Sequence, residues 1–413
     1  MNNQFTFEGK QKRVLIGMMI LGLVCMALSF FDNAVPHHSR FWTNYLHNTV
    51  FFTGIAFTSM FIMTASIIAQ AGWFTVFKRL WEAYTQFLIV GLLLMLVVAA
   101  GLWGDLHSLY IWANETIVAS DSLLQGKVRF LNEYWYTFGT IIIVGVWFFF
   151  AKRIRSLSVQ EDTSETADFA IHQKIKVYAA IFLPIAAFSS AVIIWLWTMS
   201  IDPHWYSTMY AWYTTTSWFV AALALTILTL IYLKSKGYFT DVTDEHLHDL
   251  GKYMFAFTIF WAYLWFSQFM LIWYANFGEE TIYFKLRRDE YPVLFYGNLL
   301  MNFFLPFLIL MRNDSKRKYG VLTFTSLLLL FGHWWDFFYM IKPGVYKEVM
   351  HAAGSHAEHV GYVAGFSIPG LIELGTFIGF LGFFMYLTFN QLTKASLKAE
   401  RDPYYLESVH HHV

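Results

Sequence analysis

The sequence predicts an all-α membrane protein with about ten transmembrane helices, and its composition is the first observation that predicts it. Hydrophobic residues make up 57% of the 413 residues, whereas only 14% are charged. Soluble globular domains carry roughly 25% charged residues. A soluble helical fold of this length needs a polar face on most helices, and this chain lacks the residues for one. Lipid is therefore expected to solvate most of the protein surface.

Ten long apolar stretches are the second observation. A bilayer core about 30 Å thick requires roughly 20 apolar residues per helix. Between the fourth and fifth stretches, the polar residues 157–168 are predicted to form a mobile cytoplasmic linker. The chain 1–413 is otherwise expected to be a single polytopic domain. The predicted helices cover residues 14–31, 45–70, 83–104, 133–151, 175–199, 208–233, 251–275, 291–312, 320–341 and 366–390.

The distribution of basic residues predicts how these helices are oriented. An even number of helices puts both termini on the same side of the membrane. On that assignment, 20 of the 28 lysine and arginine residues fall on the side that holds the termini. Because basic residues accumulate on the cytoplasmic side, both termini are predicted to be cytoplasmic.

Charge and cysteine content exclude several classes of function. The 28 basic and 28 acidic residues balance, so nothing in the charge indicates binding to nucleic acid. The one cysteine, Cys25, excludes an internal disulfide, a CxxCH haem attachment and a cysteine-ligated iron–sulfur cluster. A bis-histidine haem needs two well-placed histidines inside the membrane, and His47 and His333 are the only pair that comes near this requirement. We therefore expect no cofactor in this chain.

Several polar residues fall inside the apolar stretches, where they are costly and therefore candidates for function. His333 and Asp336 are three residues apart, which puts them on one helix face. At 1.5 Å per residue, Glu373 on the antiparallel tenth helix lies at nearly the same depth, as does Gln268 on the seventh. Carboxylates and an imidazole in one layer are the chemistry of a proton relay. The sequence therefore predicts one polar layer shared by three helices.

Two further features bear on a proton route. Pro369-Gly370 is predicted to break the tenth helix beside Glu373, freeing carbonyl groups that would hold ordered water. On the cytoplasmic side, His246, His248 and Asp249 lie at the mouth of the seventh helix. No carboxylate is expected deep on that side, so the sequence supports the outer half of a route better than the inner half.

Four segments resemble one family of membrane subunits. They are SIDPHWYSTMYAWY at 200–213, the long segment 242–281 that begins VTDEHLHDLGKYMF, FGHWWDFF at 331–338 and SIPGLIELG at 367–375. These segments are similar to the F membrane subunit of alternative complex III, a bacterial quinol:cytochrome c oxidoreductase. The family belongs to the polysulfide-reductase-like (NrfD-type) membrane subunits. The resemblance in helix layout runs from about residue 10 to 390.

The resemblance implies a fold and a role. It implies two adjacent four-helix bundles with two extra helices, in the bacterial cytoplasmic membrane. It also implies a cofactor-free subunit that provides a proton path beside quinol oxidation. The implied partners are a homologous C membrane subunit, an iron–sulfur subunit, c-type cytochrome subunits that carry haem c, membrane lipids and, as a further candidate, a terminal oxidase. Carried over by position, the path residues are His333, Asp336 and Glu373, with Asp249, His246 and His248 near the cytoplasmic mouth.

Three other functions remain open on the sequence alone. The chain would bind quinol itself if His333, Trp334, Trp335 and Asp336 formed a pocket. It would be a secondary transporter if it carried two corresponding broken helices, but only one break is predicted. It would be a scaffold if the polar layer merely joined helices by hydrogen bonds.

Overall fold

The computed structural model describes residues 4–32, 34–163, 169–352 and 361–412, and these residues are almost entirely helical. Within them, ten helices are long and apolar enough to cross a membrane. The prediction of an all-helical, multi-pass membrane protein is confirmed at this level. We name the ten helices α1 (Gly9–Phe30), α2 (Ser39–Ile68), α3 (Thr75–Trp103), α4 (Glu133–Asp162), α5 (Phe169–Trp197), α6 (Thr208–Ser235), α7 (Asp244–Ala275), α8 (Pro292–Leu310), α9 (Tyr319–Ala352) and α10 (Leu371–Leu392).

Several helices are longer than the apolar stretches predicted, because charged residues at their ends are paired inside the protein. Helix α3 begins at Thr75, not 83, and its first turns carry a buried Arg79–Glu82 ion pair. A helix predicted from hydropathy alone ends where such charged residues begin. Helix α9 likewise continues beyond 341 to Ala352.

The predicted mobile linker at 157–168 is wrong for its first half. Residues 157–162 form the last turns of α4, with Leu157 and Ser158 buried. Arg79 fixes this turn by donating to the Ser158 hydroxyl at 3.0 Å and to its carbonyl at 3.1 Å. The polar residues here face a buried partner rather than water, which the sequence does not reveal. The remainder, 164–168, lies outside the described residues.

Helix α10 starts where a break was expected. Residues 366–370 are not helical, and Gly370 is the N-cap of α10, so Pro369-Gly370 precedes the helix instead of interrupting it. The Gly370 N–H donates to Glu373 Oε2 at 2.9 Å. Glu373 therefore caps the first turn of α10, in the position where helices favour a carboxylate.

Proline disturbs two other helices. Pro306 in α8 has no N–H for the carbonyl of Asn302, and the turn at Leu300–Phe304 is a π-helix. In α9, Pro343 deprives the Tyr339 carbonyl of its helical donor. Arg287 replaces that donor through Nε at 3.1 Å and also donates to the Met340 carbonyl at 2.8 Å.

The helices pack around α2, which contacts α3, α5, α6 and α9. Helix α4 packs against α3 and α5, and α6 packs against α7 and α9. Helix α1 runs along α10, where Gly22 faces Gly379. A Cβ built on Gly379 would lie 2.4 Å from the Gly22 Cα atom, so the two backbones are in direct contact.

The two ends of the described chain meet. Gln4 pairs with Ser396 in a single β-bridge and donates through Nε2 to the Thr393 carbonyl at 3.0 Å. Residues 393–412, which we call the C-terminal segment, then contact the α2–α3 loop and the start of α7; Ser408 Oγ, for example, donates to the Trp73 carbonyl at 2.7 Å. Both ends therefore lie at the same end of the helices, as an even number of spans requires.

Candidate functional site

Asp336 is the centre of a polar cluster inside the helices. Its side chain is completely buried on α9. It accepts hydrogen bonds from Trp261 Nε1 at 2.9 Å, from Asn298 Nδ2 at 2.7 Å and from the Tyr213 hydroxyl. The donors come from α7, α8 and α6, and no ion pair to Asp336 occurs within the described residues. Neutral groups alone therefore hold this carboxylate.

His333 lies one turn away and faces the same side. Its Nδ1 is 2.9 Å from the Ser217 hydroxyl of α6, and its ring meets Trp261 edge-on at 5.6 Å between centroids. Trp261 thus contacts both His333 and Asp336, and Ser217 lies one turn from Tyr213. Helix α6 thus supplies one hydroxyl group to each of the two α9 residues.

Two asparagines of α8 complete the cluster. Asn302 donates to Asn298 Oδ1 at 2.6 Å and to the Gly332 carbonyl at 2.8 Å. Gly332 is required here, because a Cβ at this position would lie 2.3 Å from Asn302 Oδ1. The π-helix of α8 contains Asn302, and such turns are frequent at functional sites. Sequence reasoning missed both asparagines; two amides four residues apart in an apolar helix were the available signal.

Several buried polar atoms of α7, α8 and α9 lack a hydrogen-bond partner in the described structure, among them His333 Nε2, Asn302 Oδ1, Thr258 Oγ1 and Gln268 Nε2. Buried polar groups are nearly always paired, with protein or with ordered water. These atoms therefore offer positions for water near the Asp336 cluster. Gln268 itself is buried, but no described hydrogen bond joins it to Asp336.

Glu373 belongs to a second cluster, so the single polar layer expected from depth is wrong. Arg40 of α2 donates to Glu373 through Nε at 2.8 Å and through Nη2 at 3.0 Å. Asn44 donates to the same carboxylate at 3.1 Å, and Arg40 also pairs with Asp32. Arg40 was expected in a loop; it lies in the first turn of α2, one turn before Asn44. Depth along a helix does not say which neighbour a side chain meets.

Lys342 links this second cluster to α9. It is fully buried and donates to Asn44 Oδ1 at 2.7 Å and to Thr43 Oγ1 at 2.8 Å. Lys342 follows Asp336 by six residues, which turns it about 120° around the helix. The two clusters therefore occupy different faces of α9. Asp32, outside the helices, has its pKa affected first by burial, which raises it, but the hydrogen bond and charge of Arg40 lower it overall.

His47 of α2 was the second histidine considered as a haem ligand, and it packs against the side of α9 that faces α2. Its Nε2 is 2.9 Å from the Trp334 carbonyl, and its ring stacks on Trp334 with centroids 4.9 Å apart. His333 instead faces α6 and α7. The two histidines thus bond to different neighbours.

Two of the three residues predicted at the cytoplasmic mouth, His246 and Asp249, contact the C-terminal segment. His246 Nε2 is 3.0 Å from the Ser408 carbonyl, and Asp249 pairs with His411 at 2.6 Å and with Lys252 at 2.5 Å. His248 is buried, and its Nδ1 has no described partner. Each group thus lies against the C-terminal segment or in the first turns of α7, away from the Asp336 cluster.

No carboxylate was predicted deep on this side, but buried carboxylates do occur near this end of the helices. Glu82 of α3 is 1% exposed and pairs with Arg79 at 2.6 Å. Asp162 of α4 also pairs with Arg79, and Asp402 of the C-terminal segment pairs with Lys78. The sequence does not reveal this cluster, because its members come from three segments that are far apart in the chain.

Comparisons with known proteins identify no relative. No protein-family model matches this chain, and no curated protein sequence matches it.

Proposed function

We propose that this chain is a cofactor-free membrane subunit of a quinol:cytochrome c oxidoreductase of the alternative complex III kind, and that it carries protons through the Asp336 cluster. The observation that carries the proton role is the complete burial of Asp336 among neutral hydrogen-bond donors. A carboxylate without a paired cation can gain or lose a proton without separating an ion pair. Buried ionisable groups in membranes typically mark such routes.

The neighbours of Asp336 suit proton exchange. The Tyr213 and Ser217 hydroxyls can donate or accept after rotation about one bond. Tyr213 bonds to Asp336, and Ser217 bonds to His333. Water at the unpaired atoms His333 Nε2 and Thr258 Oγ1 would extend the chain of hydrogen bonds.

Glu373 is the weaker candidate for proton exchange. Each of its two oxygens accepts two hydrogen bonds: Oε1 from Arg40 and Asn44, and Oε2 from Arg40 and the Gly370 N–H. Protonation would cost the ion pair with Arg40 and leave a buried guanidinium without its partner. We therefore assign Glu373 a structural role in joining α10 to α2.

The helix contacts support the wider proposal. Helices α2–α5 contact one another in one group and α6–α9 in a second, with α1 and α10 paired beside them. This fits two adjacent four-helix bundles plus two extra helices. On the proposal, the termini face the cytoplasm of a bacterium. The proposed partners are a homologous membrane subunit, an iron–sulfur subunit and c-type cytochromes, which hold the haem and clusters.

The site disfavours quinol binding at the same residues. His333, Trp334 and Asp336 are each 0% exposed. A quinol headgroup would have to displace packed helices to reach them. A proton needs no such opening, only a chain of hydrogen bonds.

Two measurements test the proposal. Affinity purification in mild detergent should co-purify c-type haem, visible in the reduced-minus-oxidised spectrum; a colourless single polypeptide would refute the proposed assembly. In the purified complex reconstituted in liposomes, Asp336→Asn should lower quinol-driven proton release at least tenfold. Asp121→Asn, which alters an exposed pair with His204, is the control. Normal proton release by an intact Asp336→Asn complex would refute the proton role.

A further inference from the structure

Three distant segments bring metal-ligand side chains together at the end of the helices where the chain termini meet. Glu161 lies in the last turn of α4, His172 in the first turn of α5, and Asp402 in the C-terminal segment. One ligand atom from each lies within 4.8 Å of the other two. His172 Nδ1 and Glu161 Oε1 are 3.6 Å apart. None of these residues belongs to the Asp336 cluster.

Two of the three side chains are buried with unused ligand atoms. Glu161 is 2% exposed, and neither of its oxygens has a hydrogen-bond partner in the described structure. His172 is 6% exposed, and its Nδ1 is also without one. Leaving a buried carboxylate with both oxygens unpaired is costly, so a site of this kind calls for a bound group.

The side chains around these three residues carry more acidic than basic groups, which favours binding of a cation. Four carboxylates meet here, Glu82, Glu161, Asp162 and Asp402, against three basic side chains, Lys78, Arg79 and Arg155. Lys78 pairs with Asp402 but stays 3.6 Å from Glu161 Oε2, beyond hydrogen-bond distance. The four carboxylates therefore outnumber the three permanently basic side chains around them.

A small cavity adjoins His172 and Asp402. Its volume is about 20 Å³, and Lys78, Ser158, His172 and Asp402 are among the residues that line it. A space of this size holds roughly one water molecule. It can supply the solvent ligand that a three-residue metal site needs.

We propose that Glu161, His172 and Asp402 bind one divalent cation of the Zn²⁺ type. Tetrahedral zinc with bonds of about 2.1 Å separates neighbouring ligand atoms by roughly 3.4 Å. The 3.6 Å between His172 Nδ1 and Glu161 Oε1 is close to that spacing. An imidazole nitrogen among the ligands favours Zn²⁺ over Ca²⁺ or Mg²⁺, which prefer oxygen alone. The cation joins α4, α5 and the C-terminal segment, and its binding does not depend on the proposed proton role.

The test is a Zn²⁺ titration of the purified, chelator-treated protein against a chromophoric competitor, with bound metal counted by elemental analysis. The tail histidines His410 and His412 are exposed, and exposed histidines are adventitious zinc ligands, so every variant carries both as alanine. In this background we expect one Zn²⁺ per chain with micromolar or tighter affinity. Glu161→Gln and His172→Ala should each weaken binding at least tenfold. Co²⁺ should give the visible absorption bands of a tetrahedral site.

Two controls keep the outcome decisive. His204→Ala removes an exposed histidine elsewhere and should leave affinity unchanged. Lys78→Met removes the competing ammonium and should tighten binding. Size-exclusion profiles and helical circular dichroism verify that each variant is folded. Binding weaker than 100 µM, or equal binding by folded Glu161→Gln and parent proteins, would overturn the site and reduce any bound zinc to an adventitious ion.

Discussion

Replacing Glu373 by glutamine should destabilise this protein strongly, although the two side chains have nearly the same size and shape. The reason is the symmetry of its partners. Each carboxylate oxygen accepts two N–H donors, at distances between 2.8 and 3.1 Å. Whichever way the glutamine amide is turned, its own NH₂ group must face two donors. A sequence comparison of glutamate with glutamine would not reveal this conflict.

The expected loss of stability follows from the burial of the Glu373–Arg40 ion pair. The Glu373 side chain is 0% exposed and that of Arg40 is 10% exposed, so this pair is buried. Removing one partner of a buried ion pair costs about 3–5 kcal/mol, because the other charge stays buried without compensation. Loss of the Glu373 charge also leaves Arg40 and Lys342 facing Asp32 alone. We therefore expect Glu373→Gln to lower stability by about 3–5 kcal/mol.

The assay is thermal unfolding in detergent, followed by size-exclusion of the remaining monodisperse protein. Asp121→Asn is the matched control, since its pair with His204 is partly exposed and should contribute within about 1 kcal/mol. Combining Glu373→Gln with Arg40→Gln should cost less than the sum of the single changes, because the Arg40 guanidinium is then no longer left buried without Glu373. A Glu373→Gln midpoint equal to that of the control would refute the reasoning.

Three further predictions follow from particular contacts. Gly379→Ala should separate α1 from α10 and cost about 1–3 kcal/mol, whereas Gly17→Ala on α1, with nothing within 4 Å, should be neutral or stabilising; equal thermal midpoints would contradict this. Arg287→Met should cost about 3–5 kcal/mol because it leaves the Asp202 carboxylate and two α9 carbonyls unpaired, while exposed Arg288→Met should stay within about 1 kcal/mol by the same measurement. For Asp241, burial raises the pKa, but hydrogen bonds from Lys398 and Tyr405 lower it overall from 3.8. The ionised Asp241 side chain therefore helps to hold the C-terminal segment in place fully above pH 3.8. This contribution is lost as the pH falls through the lowered pKa. Hydrogen exchange of residues 405–412, corrected for intrinsic rate, should rise below about pH 4, and Asp241→Asn should show the fast exchange already at pH 6; a pH-independent rate in the parent protein would contradict the assignment.

Composition and the spacing of apolar residues were sufficient to predict the ten helices. A membrane helix must satisfy its own backbone and present apolar side chains to lipid over a fixed length, so its signal is local and additive along the chain. The same locality explains the errors. The hydropathy pattern began α3 too late and ended α4 too early, because Arg79, Glu82 and Asp162 were taken for solvent-exposed residues, although Arg79 pairs with Glu82 within α3 and with Asp162 of α4.

The candidate site was predictable only in part. His333 and Asp336 were found from sequence because residues three apart on one helix share a face whatever surrounds it. Their partners Tyr213, Trp261 and Asn298 come from three other helices, and no spacing in the chain relates them to Asp336. The grouping of Glu373 with Asp336 failed for that reason: the sequence determines depth along each helix, while the rotation and choice of neighbouring helices are set by packing.

The sequence by itself thus determined that the chain is helical, which stretches are long and apolar enough to cross a membrane, and which polar groups fall within those stretches. Only the tertiary structure decided which charges are compensated. Asp336 and Glu373 are both buried carboxylates at the sequence level, but one meets neutral donors and the other meets Arg40. Electrostatic interaction depends on distances of a few ångströms between groups far apart in the chain. Those distances exist only once the helices have packed.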